Sequence, residues 1–143
     1  DDIAPYDKRF YWGRDADGEL IPRSITDINE VDEDDKPILD TDGNQLVTKG
    51  LKTLAIETAK TQAASLLAPY DWYVIRNSEK STAIPSEITT YRDAVRTACA
   101  NIETAINAVK THAKFMALYD VPVDSDGNAT GDPAPINAWP DAL

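Results

Sequence analysis

The stretch SLLAPYDWYVIRNSEKSTAIPSEITTYRDAVRTA, residues 65–98, carries most of the information about the fold. It starts in a leucine- and alanine-rich segment that Pro69 interrupts, because proline cannot continue a helix interior. The aromatic group Asp71-Trp72-Tyr73 follows, and Pro85 then opens a second helical pattern at the tolerated first turn. The stretch has no recognisable reaction centre, and we interpret it as a packing and docking element.

The helical patterns on either side of Pro69 predict a helical hairpin. Residues 51–68 are rich in Ala, Leu, Lys and Glu, which favour helices. Residues 85–109 carry apolar side chains spaced alternately three and four apart, which predicts one buried face. The apolar positions are Ile88, Tyr91, Val95, Ala98, Ile102, Ala105 and Val109. The small Ala98 and Ala105 favour close packing within one chain, and a coiled coil between chains is the alternative.

Shorter elements are predicted around this hairpin. Between the two helices, we expect residues 70–76 to form an extended aromatic corner. Thr111 is a typical N-cap residue, which predicts a short helix over 111–119. The rest of the chain, 120–143, is predicted to be a loop-rich C-terminal segment whose Trp139 either folds back or contacts a neighbouring molecule.

Small β-hairpins are predicted for the N-terminal part. The aromatic run at 10–12 precedes an Asp-Gly dipeptide, which favours tight hairpin turns. A second hairpin is predicted from the apolar residues at 37–39 and 45–47. The acidic cluster at 30–35 is interpreted as a solvated loop. The predicted fold class is therefore α+β and mainly α.

Charge divides the 143 residues into three parts, which we take as the regions of the chain. Residues 1–48 hold 14 acids and 5 bases, 49–119 hold 6 acids and 9 bases, and 120–143 hold 5 acids and no base. The formal net charge is −11. Binding to nucleic acid or to anionic lipid needs clustered Lys and Arg, so neither is expected. No apolar run approaches the ~20 residues that cross a bilayer. A partner protein is the expected ligand.

Three copies of Asp-x-Asp-Gly, which begin at Asp15, Asp40 and Asp124, are the strongest hint of a metal site. A calcium loop of the EF-hand type needs Gly at its sixth position and Glu at its twelfth. Here Gly is fourth and Glu is missing at the twelfth, so we interpret the copies as turns. His112 lacks a nucleophile elbow, and Cys99 has no basic neighbour in sequence. No catalytic residue, metal or cofactor is expected.

Several residues around 65–98 resemble a pattern found in the tail assembly chaperone-like modules of tailed bacteriophages. They are Leu66, Leu67, Asp71, Trp72, Tyr91, Arg92 and Arg96. The ending Trp139-Pro140 is similar to Trp-Pro endings common among such proteins. The resemblance implies a non-catalytic protein that binds a phage tail or tail-fibre subunit during assembly. It would be located in the virion tail, in the host cytoplasm, or in both.

Aromatic and Arg side chains dominate the energetics of protein interfaces, which suggests the residues that would bind such a partner. They are Trp72, Tyr73, Arg92, Arg96 and Trp139, with Phe10, Tyr11 and Trp12 as a secondary docking edge. A local core for the first hairpin is the alternative role of the latter three. Arg92 either reaches Asp71 or Trp72, or lies on a solvated face. The alternative functions are a self-assembling virion structural protein, which would form a homo-oligomer, and a small hydrolase.

Overall fold

The structure is a computed structural model that describes residues 4–143, so the first three residues of the acidic N-terminal region lie outside it. The fold is α+β and mainly α, as predicted. Two small antiparallel hairpins precede the helices, and a loop-rich segment follows them. The strands are β1 (Tyr11–Arg14), β2 (Leu20–Pro22), β3 (Ile28–Asn29) and β4 (Val47–Thr48). The helices are α1 (Leu51–Leu67), α2 (Asp71–Lys80), α3 (Ser86–Ala108) and α4 (His112–Ala117).

Helices α1 and α3 pack against each other along their lengths, so the helical hairpin forms within one chain. The buried face of α1 is built mostly from alanine, at Ala55, Ala59 and Ala63. Small side chains on one helix let the larger side chains of the other approach its backbone closely. The buried residues of α3 are Ile88, Tyr91, Arg92, Val95, Ala98, Ile102 and Ile106.

The buried face of α3 departs from the predicted stripe near the end of the helix. The prediction placed Ala105 on that face, whereas the structure buries Ile106 fully and leaves Ala105 partly exposed. A straight helix has 3.6 residues per turn, so a strict seven-residue spacing drifts by about 20° per heptad. After two heptads the buried position is therefore one residue later in the chain, at Ile106 instead of Ala105.

The main core combines residues from all three charge-defined parts of the chain. Phe10 comes from the N-terminal part, Phe115 from α4, and Ile136 from the C-terminal segment. The ring of Phe10 is T-shaped to that of Phe115 at 6.1 Å and to that of Tyr119 at 5.1 Å. The three parts differ in composition but share one core.

The prediction of an extended corner at 70–76 is wrong, because this segment is helical. A 3-10 turn around Pro69 (Ala68–Tyr70) follows α1, and α2 begins directly after it. Proline interrupts a helix but is well tolerated at the start of the next one. Asp71 in the first turn of α2 and Lys80 in the last complement the helix dipole.

The Asp-x-Asp-Gly copies are turns, and the structure contains a fourth that the motif does not reveal. Each belongs to an eight-residue unit, here called a turn unit, at 13–20, 30–37, 38–45 and 122–129. In each, an Asp Oδ1 accepts from the backbone N–H groups two and four residues later. Residues 31–35 of the acidic cluster are exposed, as predicted, and Glu30 is partly buried; the cluster forms part of an ordered turn. Asp35 takes the left-handed conformation (φ 59°) that glycine takes in the other units.

Residues 28–48, here called the arm, form a projection outside the helical body. Strands β3 and β4 pair at its base, and two turn units complete it. Glu30 N–H donates to the Leu46 carbonyl, Ile38 N–H to Glu30, and Leu46 N–H to Ile38. The side-chain amide of Gln45 lies among the same three carbonyls, at 2.8 to 3.3 Å. The arm is therefore held by a closed ring of hydrogen bonds.

The beginning of α1 is fastened to the segment between the two hairpins. Oδ1 of Asp27 accepts from the backbone N–H of Gly50 and from the hydroxyl of Thr53, each at 2.7 Å. These bonds, with that from Gly50 first, hold the pKa of Asp27 below its usual value. A Cβ atom on Gly50 would lie 2.3 Å from the carbonyl carbon of Thr26. Glycine is therefore required here for close approach.

Candidate partner-binding surface

Arg92 ties the end of α1 and the beginning of α2 to α3. Its charged side chain is buried, with 8% of the residue exposed. Nη1 donates to the carbonyl oxygen of Leu67 at 3.0 Å and to Oδ1 of Asp71 at 2.9 Å. Leu67 lies in the last turn of α1, where carbonyl groups have no partner within the helix. Of the roles considered for Arg92, the structure shows the bond to Asp71, and burial leaves the guanidinium little surface for a partner protein.

Three further residues of the 65–98 stretch, Leu66, Leu67 and Tyr91, pack around this junction. The rings of Tyr70 and Tyr91 are T-shaped at a centroid distance of 5.4 Å. Leu66 and Leu67 pack with them against the second core cluster, which includes Val95. The spacing of the pattern therefore corresponds to one packing unit, in which the α1–α2 connection rests on α3.

Trp72 and Tyr73 point away from this junction and form a stacked aromatic pair. Their ring centroids are 3.8 Å apart, with an angle of 28° between the planes. The guanidinium carbon of Arg76 lies 4.8 Å from the Trp72 centroid and 5.5 Å from that of Tyr73. Stacking and cation–π attraction hold these side chains in place. Trp72 is nevertheless 50% exposed, so it presents a fixed indole to solvent.

The whole of α2 lacks the buried face that a surface helix normally has. Each of its residues is at least partly exposed, and three apolar ones are strongly so: Trp72, Val74 and Ile75. Trp72 and Ile75 are three residues apart and lie on the same side of the helix. An exposed apolar patch of this kind is typical of a binding surface.

Arg96 lies beside α2 on the exposed side of α3. It pairs with Asp93 at 3.3 Å, one turn earlier on the same helix. Both residues line a cleft of about 190 Å³ with Val74 and Ile84. Arg96 is thus accessible next to the apolar side chains of α2, whereas Arg92 forms the inner wall of the same cleft. Arg76 is the neighbour that the sequence analysis missed, because an extended corner gave it no position beside Trp72.

Trp139 packs against its own chain. Its side chain contacts both core clusters, and its indole N–H donates to Oε1 of Gln62 on α1 at 3.2 Å. Ala134 and Ile136, a few residues earlier, are buried in the main core. The C-terminal segment therefore folds back, which is one of the two alternatives that the sequence left open.

The residues of the proposed secondary docking edge have three different environments. Phe10 is buried in the main core, so it cannot serve as an exposed edge. Tyr11 packs against that core, and its hydroxyl lies 3.4 Å from Sδ of Met116. Trp12 alone is largely exposed, with the Arg23 guanidinium 3.9 Å above its ring. The three side chains do not follow strand alternation, because Phe10 lies in the turn before β1 and the register of β1 shifts between Tyr11 and Gly13.

The histidine and the cysteine are both partly buried. Nε2 of His112 lies 2.7 Å from the carbonyl oxygen of Phe10 and so connects α4 to the first hairpin. Thr111 caps α4, since its hydroxyl accepts from the backbone N–H of Lys114 at 3.1 Å. Burial, with a smaller effect from Glu103, raises the pKa of the Cys99 thiol, which disfavours the thiolate.

Among residues 4–143, the structure brings together no group of three or more His, Cys, Asp or Glu side chains that could hold a metal ion. Within the same residues, no helix is both long and apolar enough to span a membrane. Comparisons with protein-family models, with curated proteins and with solved structures give no significant match to this chain.

Proposed function

We propose that this chain is a non-catalytic phage tail protein that binds a tail or tail-fibre subunit through α2. The observation that carries the proposal is the half-exposed Trp72, held in place by Tyr73 and Arg76 on a helix with no buried face. A rigid exposed aromatic group contributes binding energy at a small cost in side-chain entropy. The resemblance around residues 65–98 suggests the class of partner.

The buried and the exposed residues of this region have different roles in the proposal. Arg92 and Tyr91 face inward and fix α2 on α3, whereas Trp72 and Ile75 face solvent. A helix fixed at its base keeps its exposed side chains in a defined position before binding, which lowers the entropy lost on association. The residues that we propose for the interface are therefore Trp72, Tyr73 and Ile75, together with Arg96 at the edge.

The proposed mechanism is the covering of apolar surface. While a tail or fibre subunit awaits its neighbours, its future interface is exposed and prone to aggregation. The apolar side of α2 would cover that surface until assembly buries it, or would stay in place as part of the finished tail. The protein would then act in the host cytoplasm during assembly, in the virion tail, or in both.

A site-specific photocrosslinker tests this proposal in cells that produce the phage particle. With the crosslinking residue at Ile75, we expect an adduct whose second component, identified by mass spectrometry, is a tail or tail-fibre subunit. The matched control places the same residue at Lys60, which is also exposed but lies on α1. The adduct from Ile75 should disappear when Trp72→Ala is added. Equal adducts from both positions, or adducts without any tail protein, would refute the proposal.

A further inference from the structure

A cleft of about 320 Å³ opens on the side of the molecule where the N-terminal part meets α1 and the C-terminal segment. Its floor consists of main-core residues: Leu51, Ala55, Phe115 and Ile136. The volume lies within the range of pockets that bind small ligands or single side chains. The cleft thus offers an apolar floor that an apolar side chain from outside could cover.

The rim of this cleft is basic in a protein of net charge −11. Lys8, Arg9 and Arg23 line one side of it. Arg9 is paired with Asp7 at 2.8 Å, whereas Lys8 and Arg23 form no ion pair with any residue in 4–143. Asp7 offsets the charge of Arg9, so Lys8 and Arg23 supply the uncompensated positive charge of the rim, which an anionic ligand would neutralise.

Arg23 is held at this rim by Trp12, because its guanidinium lies over the indole ring. Its Nε is buried without a hydrogen-bond partner among the described residues, as is that of Arg76, which lies over Trp72 in the same way. The stacked guanidinium therefore has a fixed position from which it can pair with a carboxylate in the cleft. A ligand that combines a carboxylate with an apolar side chain would satisfy both the rim and the floor of the cleft.

The arm of the same chain has this combination of groups. Residues 28–48 contain seven acids and one base, and six large apolar side chains of the arm are strongly exposed. Within its turn units, Val31 directly precedes Asp32 and Leu39 directly precedes Asp40. Leu39 is 56% exposed, and residues 31–44 are exposed throughout. The described lining of the cleft includes no residue of the arm, so the two surfaces do not overlap.

We propose that the basic cleft binds the arm of a second copy of this chain. The apolar residues of a turn unit would cover the floor, and its carboxylates would pair with Lys8 and Arg23. Because cleft and arm are different surfaces, the contact is head-to-tail, and it produces rings or open chains. This inference does not depend on α2 or on its phage partner, since neither surface includes a residue of α2.

Salt gives the first test, by sedimentation velocity and light scattering over a range of protein concentrations. If cation–carboxylate pairs hold the copies together, association weakens as ionic strength rises from about 0.05 to about 0.5 M. An association driven by apolar contact alone would instead strengthen, because salt screens the repulsion between molecules of net charge −11. A protein that stays monomeric at all concentrations, or associates more strongly in high salt, overturns the proposal.

Charge reversal gives the second test. Lys8→Glu with Arg23→Glu, or separately Asp34→Lys with Asp42→Lys, should raise the dissociation constant at least about tenfold. A mixture of the two reversed proteins should associate again. Asp34 and Asp42 suit the test because their side chains accept none of the bonds that form the turn units.

The matched control has the same change in charge outside the cleft, on the surface around the start of α4. Lys110→Glu with Lys114→Glu alters two exposed lysines outside the cleft and should leave association unchanged. If the Arg23 variant does not fold, as judged by circular dichroism, the exposed Lys8→Glu alone replaces it. Equal loss in the control, or no recovery on mixing, contradicts the proposal.

Discussion

Replacing Arg92 by alanine tests the junction on which the position of α2 depends. The substitution removes the donor that bonds the Leu67 carbonyl at 3.0 Å and the Asp71 carboxylate at 2.9 Å. It also leaves a space between α1, α2 and α3, because the side chain is buried. We expect the protein to fold, but with lower stability and a less firmly held α2.

The expected size of the effect follows from the two bonds. A buried hydrogen bond from a charged donor contributes about 1.5–3 kcal/mol. The pair with Asp71, whose side chain is 58% exposed, adds at most about 1 kcal/mol because water screens it. The sum is a loss of about 1.5–4 kcal/mol. For a chain of this size, about 1 kcal/mol corresponds to about 3–4 °C in Tm, which gives a decrease of roughly 5–16 °C.

Thermal and urea unfolding, followed by circular dichroism, measure this change. Arg96→Ala is the matched control, since it removes an arginine four residues later whose pair with Asp93 is exposed. Its cost should stay below about 0.5 kcal/mol. Asp71→Asn isolates the ion pair and should cost about 1 kcal/mol or less. If Arg92→Ala lowers Tm no more than Arg96→Ala does, the junction described here is not what holds α2.

Three further predictions concern the N-terminal part. Gly50→Ala should lower Tm strongly, because the new Cβ would meet the Thr26 backbone at 2.3 Å. Gly13→Ala is the control, since its Cβ would meet only the Tyr6 hydroxyl at 3.8 Å and its φ is not positive; equal effects of the two would exclude steric contact as the cause. Asp27→Asn should lower Tm at neutral pH. The pKa of Asp27 is depressed, so its contribution is complete above the ordinary value of about 3.9 and is lost as pH falls through the lower folded-state value. The Tm difference from the unaltered protein should therefore shrink as pH falls below about 3.9, and a difference that stays constant with pH would contradict this linkage. Gly43→Ala places a side chain at a φ of 84° and should cost about 1 kcal/mol, seen as roughly fivefold faster hydrogen exchange of the Leu46 amide, with unchanged exchange as the contrary result.

The helical hairpin was accessible from sequence because its signals are local and periodic. The spacing of Ile88, Val95 and Ile102 identifies the buried side of α3, and Thr111 marks the beginning of α4. Pro69 was misleading, since the same residue can end one helix and sit at the start of the next turn. Sequence periodicity does not distinguish these outcomes, because the apolar run at 72–75 is only four residues long and consists of aromatic and β-branched residues that also favour strands.

The candidate site was only partly accessible for a related reason. Trp72 and Tyr73 were identified by residue type, but the inward direction of Arg92 and the stacking of Arg76 depend on how α2 sits on α3. The basic cleft joins residues 8, 23 and 137, which no local pattern connects. The turn unit at 30–37 escaped detection because Asp35 stands where the other units have glycine.

The hydrogen-bonded ring at the base of the arm limits how this chain can vary in evolution. Two turn units follow each other directly, and the bond from the Glu30 N–H to the Leu46 carbonyl closes the ring. Duplication of one eight-residue unit would place a further unit between residues 30 and 46 and separate the Glu30 N–H from its acceptor. The unit at 122–129 is not part of a ring, so units inserted there would break no such bond. Relatives of this protein should therefore differ in length after residue 121 and keep a constant length between residues 30 and 46.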